Sequence, residues 1–336
     1  MKLTAPRPVT LFTQQWADIP LDELCARAAD WGYDGLEIAA CPRHLDIGRA
    51  AGDPDYLPEL KATLDRYGLR VFTVGAHLVG QAVCDPIDER HRGILPDRVW
   101  GDGDPEGIRL RAAREIEATA RAAAVLGAET VVGFTGSSIW HALAMFPPVD
   151  ERFVTDGFHD FARRWHPILD VFDEVGVRFA LEVHPTEIAY DYWTAHRALD
   201  AIGHRTAFGI NFDPSHLLWQ GIDLSAFLYD FRERLYHVDF KDTKLNADGR
   251  NGVLGSHLPW ADPRRGWDFV SVGHGDVDFE ACVRVLNAIG YQGPVSVEWE
   301  DAGYDRLLAA PEALAYVRRL TAITPAGRFD ADFGDG

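Results

Sequence analysis

The feature that most limits what this chain can fold into is a repeated order: a stretch of helical period, a glycine, then a short apolar run. Segments 21–32, 105–127, 161–176 and 279–290 have helical spacing and close on Gly32, Gly127, Gly176 and Gly290, and Gly68 closes another. Glycine accepts the left-handed backbone that ends a helix, so each of these predicts a tight turn into the following strand. The apolar runs at 10–13, 35–39, 70–76, 130–135, 178–183, 207–212, 235–241 and 294–299 are short and rich in Val, Ile, Phe and Leu, as buried strands are. Eight strands alternating with helices in a chain of 336 residues predict an α/β fold of the closed (β/α)8 TIM-barrel kind. An open doubly wound sheet would carry a G-x-G-x-x-G turn after an early strand, and none stands there; a lysine-bearing phosphate loop is also missing. We therefore expect one barrel domain over 1–324 and an acidic tail, PAGRFDADFGDG, over 325–336.

Two inter-element segments are too long to be simple turns. Residues 77–104 follow the third strand and residues 242–277 the seventh. Structureless connections beyond about 12–15 residues are uncommon in compact domains and usually bind or cover something. Both should emerge at the C-terminal rim, where barrel active sites lie. The second carries Trp260, Trp267, His257, His274, Arg264 and Arg265 among its glycines, which is binding chemistry.

Charge and composition narrow the partners. A net charge of −19 leaves no basic footprint for nucleic acid or an anionic membrane surface. Four cysteines without a Cys-x-x-Cys pair argue against a zinc knuckle or a disulfide framework. The start of the chain lacks a signal peptide's apolar core, and no run approaches a membrane span. The expectation is a cytoplasmic protein with reduced thiols and a small-molecule partner. A homo-oligomer or a partner subunit stays open.

Polar residues that end apolar strands point at the site, because the last inward side chain of each barrel strand projects into the rim. The fifth strand ends RFALEVHP, with Glu182 and His184 on one face, and the sixth ends FGINFDPSH, with Asp213 and then His216. The seventh reads LYHVDFKD, with His237, Asp239 and Lys241 on one face, and the eighth ends VSVEWED, with Glu298 and Glu300. Ionised side chains cost several kcal/mol to bury unless paired or metal-bound. One divalent cation held by Glu182, Asp213, His237 and Glu298 would explain the convergence. Three carboxylates and an imidazole suit Mn2+ first, with Mg2+ or Co2+ also possible. A hydrogen-bonded carboxylate network closing the barrel top is the alternative.

The stretches LEVHP (181–185), FDPSHL (212–217), YHVDFKD (236–242), VEWED (297–301) and GHGDVDF (273–279) resemble the xylose isomerase-like barrel superfamily of sugar isomerases and epimerases, over roughly residues 8–322. The resemblance implies the same four ligands, a substrate contact at His216, and Glu182 and Glu298 as base and conjugate acid on either side of a keto sugar. A metal-stabilised enediolate would lie between them. An arginine expected shortly after the ligand histidine has no counterpart at Thr243, leaving Lys241, Arg264 or Arg265 to replace it. Trp140, His141, His77 and His184 are further substrate-binding candidates, and Glu37, ending the second strand, faces either a hydroxyl or the structure. An added acid such as His141 would favour loss of a β-substituent. Elimination on an oxidised sugar such as a 3-keto glycoside is therefore the second reading of the activity.

Overall fold

The computed structural model describes residues 7–142, 147–255 and 257–321. The end of the barrel domain at 324 and the tail at 325–336 lie outside the described residues. Eight parallel strands close into a barrel: β1 (Val9–Phe12), β2 (Gly35–Ala39), β3 (Arg70–Gly75), β4 (Thr130–Gly133), β5 (Arg178–Glu182), β6 (Phe208–Phe212), β7 (Leu235–Phe240) and β10 (Val295–Val297). The order around the cylinder is β1-β10-β7-β6-β5-β4-β3-β2, with β1 paired to both ends of the series. Between β7 and β10 an antiparallel hairpin, β8 (Asp242–Leu245) and β9 (Trp267–Val270), rises from the rim.

The local signals act as the sequence implies. The helix Pro105–Leu126 starts with the Asp104 carboxylate accepting the Gly107 N–H, and has proline in its first turn. It ends at Gly127, whose φ of +79° lets its N–H reach back to Ala123. Strand residues are buried on both faces, since helices cover the outside and side chains fill the inside. Phe161, Trp165, Phe172, Phe179 and Phe208 pack as one aromatic block between helix Glu151–Val175 and the barrel wall.

Both long segments are structured. Residues 77–104 hold three short helices, and 242–277 is built on the β8–β9 hairpin. Asp242 fixes the far end of the second by accepting the N–H groups of Gly273, Gly275 and Val277. A Cβ on Gly275 would come within 2.1 Å of Asp242 Oδ1, so only glycine permits that approach. Among the described residues no helix is long and apolar enough to cross a membrane.

Candidate active site

At the C-terminal mouth a cavity of about 540 Å³ is floored by Glu182, His184, His216, Lys241 and Glu298. Its walls are Phe12, Leu78, Phe134, Trp260, Phe269 and Trp299. A second cavity of about 510 Å³ lies at the opposite end, among Arg70, Glu129, Arg178, Arg232 and Glu233. Arg178 is paired there with Glu129 and Arg232 with Glu233. The strand ends that carry barrel chemistry are at the first cavity.

Each floor residue is placed by its element. Glu182 is the last residue of β5. Asp213 follows β6 and caps the one-turn helix Pro214–Leu218: its Oδ1 accepts the Ser215 N–H at 2.8 Å, which leaves Oδ2 turned inward. His216 rides on that turn, and its Nε2 faces Glu182 Oε1 and Asp213 Oδ2, each at 3.1 Å. Lys241 follows β7, and its Nζ stands 3.3 Å from Asp213 Oδ2, 3.3 Å from Glu298 Oε2 and 3.5 Å from Glu300 Oε2. The Phe269 ring of the hairpin lies 4.7 Å from the same nitrogen. Gln15 donates to Glu298 Oε1 at 2.7 Å.

The neighbours set the charge states. Burial pushes the Glu182 carboxyl up, but hydrogen bonds from His216 and His77, with the charges of His77 and Lys241, outweigh it and hold this group well below the usual range. Burial raises Glu298 well above its ordinary value, with Glu300, Glu182 and Asp213 adding to the rise against Lys241. One cavity thus holds one carboxylate favouring its anion and one favouring its acid. His184, half-buried and desolvated next to His216, falls to about 3 and is neutral.

The expected quartet is not gathered as a quartet. His237 is correctly placed on the inner face of β7 but lies below the mouth. Its Nε2 is 2.8 Å from Glu37 and 3.2 Å from Asp239, and its Nδ1 is 3.1 Å from Thr73 Oγ1. Glu37 is therefore committed to this sealed layer and not to the cavity. The reason is strand register. β7 ends at Phe240, so the rim residue of the 237/239/241 face is Lys241, a cation where a ligand was expected. Among the described residues, two groups bring three possible metal-ligand atoms within 4.8 Å of one another: Glu182, His184 and His216 at the mouth, and Glu37, His237 and Asp239 beneath it.

The other candidates divide. His77 lines the cavity but turns its Nε2 to Glu182 Oε2 at 2.8 Å, so it orients that carboxylate. Trp140 donates its indole N–H to Ile188 O and packs on Tyr190 and Phe158, outside the cavity lining. His141 is exposed beside Phe153, also outside it. Arg264 is exposed and paired with Asp262. Arg265 is buried in the hairpin, its guanidinium 3.9 Å from the Trp260 ring centre and 5.1 Å from that of Trp267, so it braces the aromatic wall from behind. The residues that sequence reasoning missed are Gln15, Phe134 and Phe269. Phe134 lies between the His77 and His184 rings at 4.9 and 4.7 Å. Its only signal was an aromatic just past the end of the fourth strand.

A closed parallel barrel with titratable side chains gathered at its C-terminal mouth defines the broad class of (β/α)8 proteins. Within it the chain belongs to the xylose isomerase-like TIM barrel family, whose model matches residues 25–320. It is 29% identical over 327 residues to the uncharacterized protein YfiH of Bacillus subtilis, covering 91% of this chain and 95% of that one. It is 30% identical over 115 residues to inosose dehydratase of Clostridium perfringens, covering 33% and 37%. Its backbone superposes on the 3-keto-D-glucoside 4-epimerase YcjR of E. coli with a TM-score of 0.67 at 20% identity, covering 93% of this chain and 99% of that one.

Proposed function

We propose that the chain is a sugar isomerase or epimerase that moves the proton beside the carbonyl of a keto sugar. The observation that carries this reading is the pair Glu182 and Glu298, two buried carboxyl groups of opposite protonation tendency in one cavity with a cation beside them. Glu182 ends β5 and Glu298 follows β10, and two other strands separate these in the closed order, so a sugar bound in the cavity would have a carboxyl group on each side. Glu182, as the anion, takes the proton from the carbon next to the carbonyl, and the electron pair moves through the new C=C bond onto oxygen. Glu298, as the acid, returns a proton to the opposite face, and solvent resets the two groups. The aromatic wall suits the C–H face of a sugar, and among the described residues no arginine lines the cavity, which favours an uncharged substrate over a phosphorylated one.

The resemblance implies a divalent ion, manganese before magnesium or cobalt, that would polarise the carbonyl. Glu182, Asp213 and Glu298 are the residues that would hold it. Asp213 Oδ2 and Glu298 Oε2 are buried and turned inward, as ligand oxygens are, but the Lys241 ammonium already stands against both and His216 Nε2 against the first. The donor set as it stands therefore does not fit the ion, and no step above depends on one.

A lyase acting on an oxidised sugar is the second reading. It is favoured by the Trp260 and Phe269 wall, which offers a stacking place for a leaving group, and by the partial match to inosose dehydratase. Incubation with a panel of keto sugars and 3-keto glycosides in deuterated water separates the two. Deuterium uptake without release of a fragment supports the first, stoichiometric release supports the second, and neither with any substrate overturns both.

A further inference from the structure

The seventh strand sends three side chains inward, and they serve two levels. His237 and Asp239 are fully buried, and their partners are Glu37, Thr73 and Asn211, so neither is offered to the mouth. The third, Lys241, reaches the position where the strand's contribution to an ion site would come. The residue is 3% exposed, and its nitrogen is held from several directions: by Asp213 and Glu298 at 3.3 Å each, by Glu300, and by the face of Phe269. The hairpin that carries Phe269 is closed at its base by Asp242, which accepts the Gly275 N–H, and is tied to this corner by the Thr243 hydroxyl bonded to Ser215 O. The ammonium is thus enclosed and not a surface side chain that happens to turn in.

We infer that the Lys241 ammonium, in place of a divalent ion, is the resident cation of this site and the group that receives the developing enolate oxygen. A divalent ion on Asp213 Oδ2 and Glu298 Oε2 would bind each oxygen at about 2.1 Å, and would share both with the ammonium at less than about 5.5 Å, inside a low-dielectric mouth. Ion and ammonium compete for the same two oxygens, and the lysine is covalently present. Balance at the mouth is met by side chains alone: Lys241 serves the Asp213 carboxylate and stands against the Glu298 carboxyl, while the His77 and His216 rings serve Glu182, and His216 also faces Asp213. In the proton transfer the ammonium loses nothing. It donates a hydrogen bond to the carbonyl oxygen, which tightens as negative charge builds there and relaxes when the carbon is reprotonated.

The inference rests on the enolisation reading for the role of Lys241, but its assignment as the resident cation is tested separately. Wild-type protein and Lys241→Met, each dialysed against chelator, are compared by elemental analysis and by Mn2+ titration calorimetry. Wild type should carry well under one equivalent of Mn, Co or Zn. Lys241→Met, which leaves the carboxylates without their cation, should bind Mn2+ at least about tenfold more tightly than wild type. With a competent substrate, deuterium exchange by wild type should survive chelation, and Lys241→Met should lose about a hundredfold or more. Stoichiometric metal in wild type overturns the assignment, and so does a Lys241→Met protein that is folded by circular dichroism yet gains no affinity. Lys241→Gln serves if the methionine variant does not fold. If no sugar ever exchanges, the enolisation reading fails while the metal comparison still decides which cation the site holds.

Discussion

Two charged clusters lie one above the other inside this barrel, made from the same kinds of side chain. The upper one, Glu182, His216, Lys241 and Glu298 with Asp213 paired to them, floors a cavity; the lower one, Glu37, His237, Asp239 and Asn211, has zero solvent exposure. Both gather carboxylates around cations at 2.8 to 3.3 Å. What separates them is access: the upper groups line or border space a substrate can fill, and the lower ones face one another and the Thr73 hydroxyl. Acids and histidines at strand ends therefore report a possible site, and the level at which each side chain sits decides whether it reacts or supports.

That contrast is broken most directly at its two centres. Glu182→Gln should lower turnover by about a thousandfold, within the usual range for a general base, while the midpoint of urea unfolding falls by less than a truncation in the sealed layer causes, because glutamine keeps the side chain's shape but leaves His77 and His216 without their anion. His237→Ala should do the reverse. Removing one partner from a buried ion cluster costs about 3–5 kcal/mol of stability, read from the same urea curves, with any loss of turnover following from the loosened floor. A normal stability for His237→Ala would dissolve the distinction between the layers.

The lower layer also has a pH signature. Burial opposes charge on His237, but Glu37 and Asp239 outweigh it and raise the ring to about 10. A folded value above the unfolded one means that the contribution to stability is complete below about pH 6.5 and is lost as pH rises toward that value. Asp239, raised to about 7 by burial and by Glu37, adds stability that fades earlier, between about pH 4 and neutrality. The thermal midpoint of wild type should fall between pH 7 and 10, and His237→Gln should flatten that fall. A wild-type midpoint that rises over this interval would contradict the charge state of the buried ring.

Smaller effects refine the upper side of the comparison. Trp260, half exposed at the cavity lip, supplies wall and no proton; Trp260→Ala should raise KM about tenfold with kcat nearly unchanged. Arg264→Ala, at an exposed pair with Asp262, should leave both the urea midpoint and turnover close to wild type. A clear loss of turnover there would return Arg264 to the substrate.

Much of this was legible in the chain. The strands begin and end within two residues of where apolar runs and glycines put them, because burial on both faces and left-handed helix ends leave marks on neighbouring residues. Glu182, Asp213, His216 and Glu298 were legible as well, since each stands at or just past a strand end. The role of His237 was not. Alternation places 237, 239 and 241 on one face but gives no depth along it, and depth depends on where β7 stops and on the register shift between Ile210 and Asn211 on the neighbouring strand.

The sequence by itself determined the barrel, its order of elements and the acid-rich ends of its later strands, because these follow from local periodicity and chain order. Only the tertiary structure decided that Lys241 and not His237 reaches the mouth, that Glu37 is sealed below it, and that Phe134 and Phe269 wall the cavity. Those outcomes depend on the stagger between strands and on a hairpin folding back over the rim, and both bring together residues whose separation in the chain carries no trace of their distance in space.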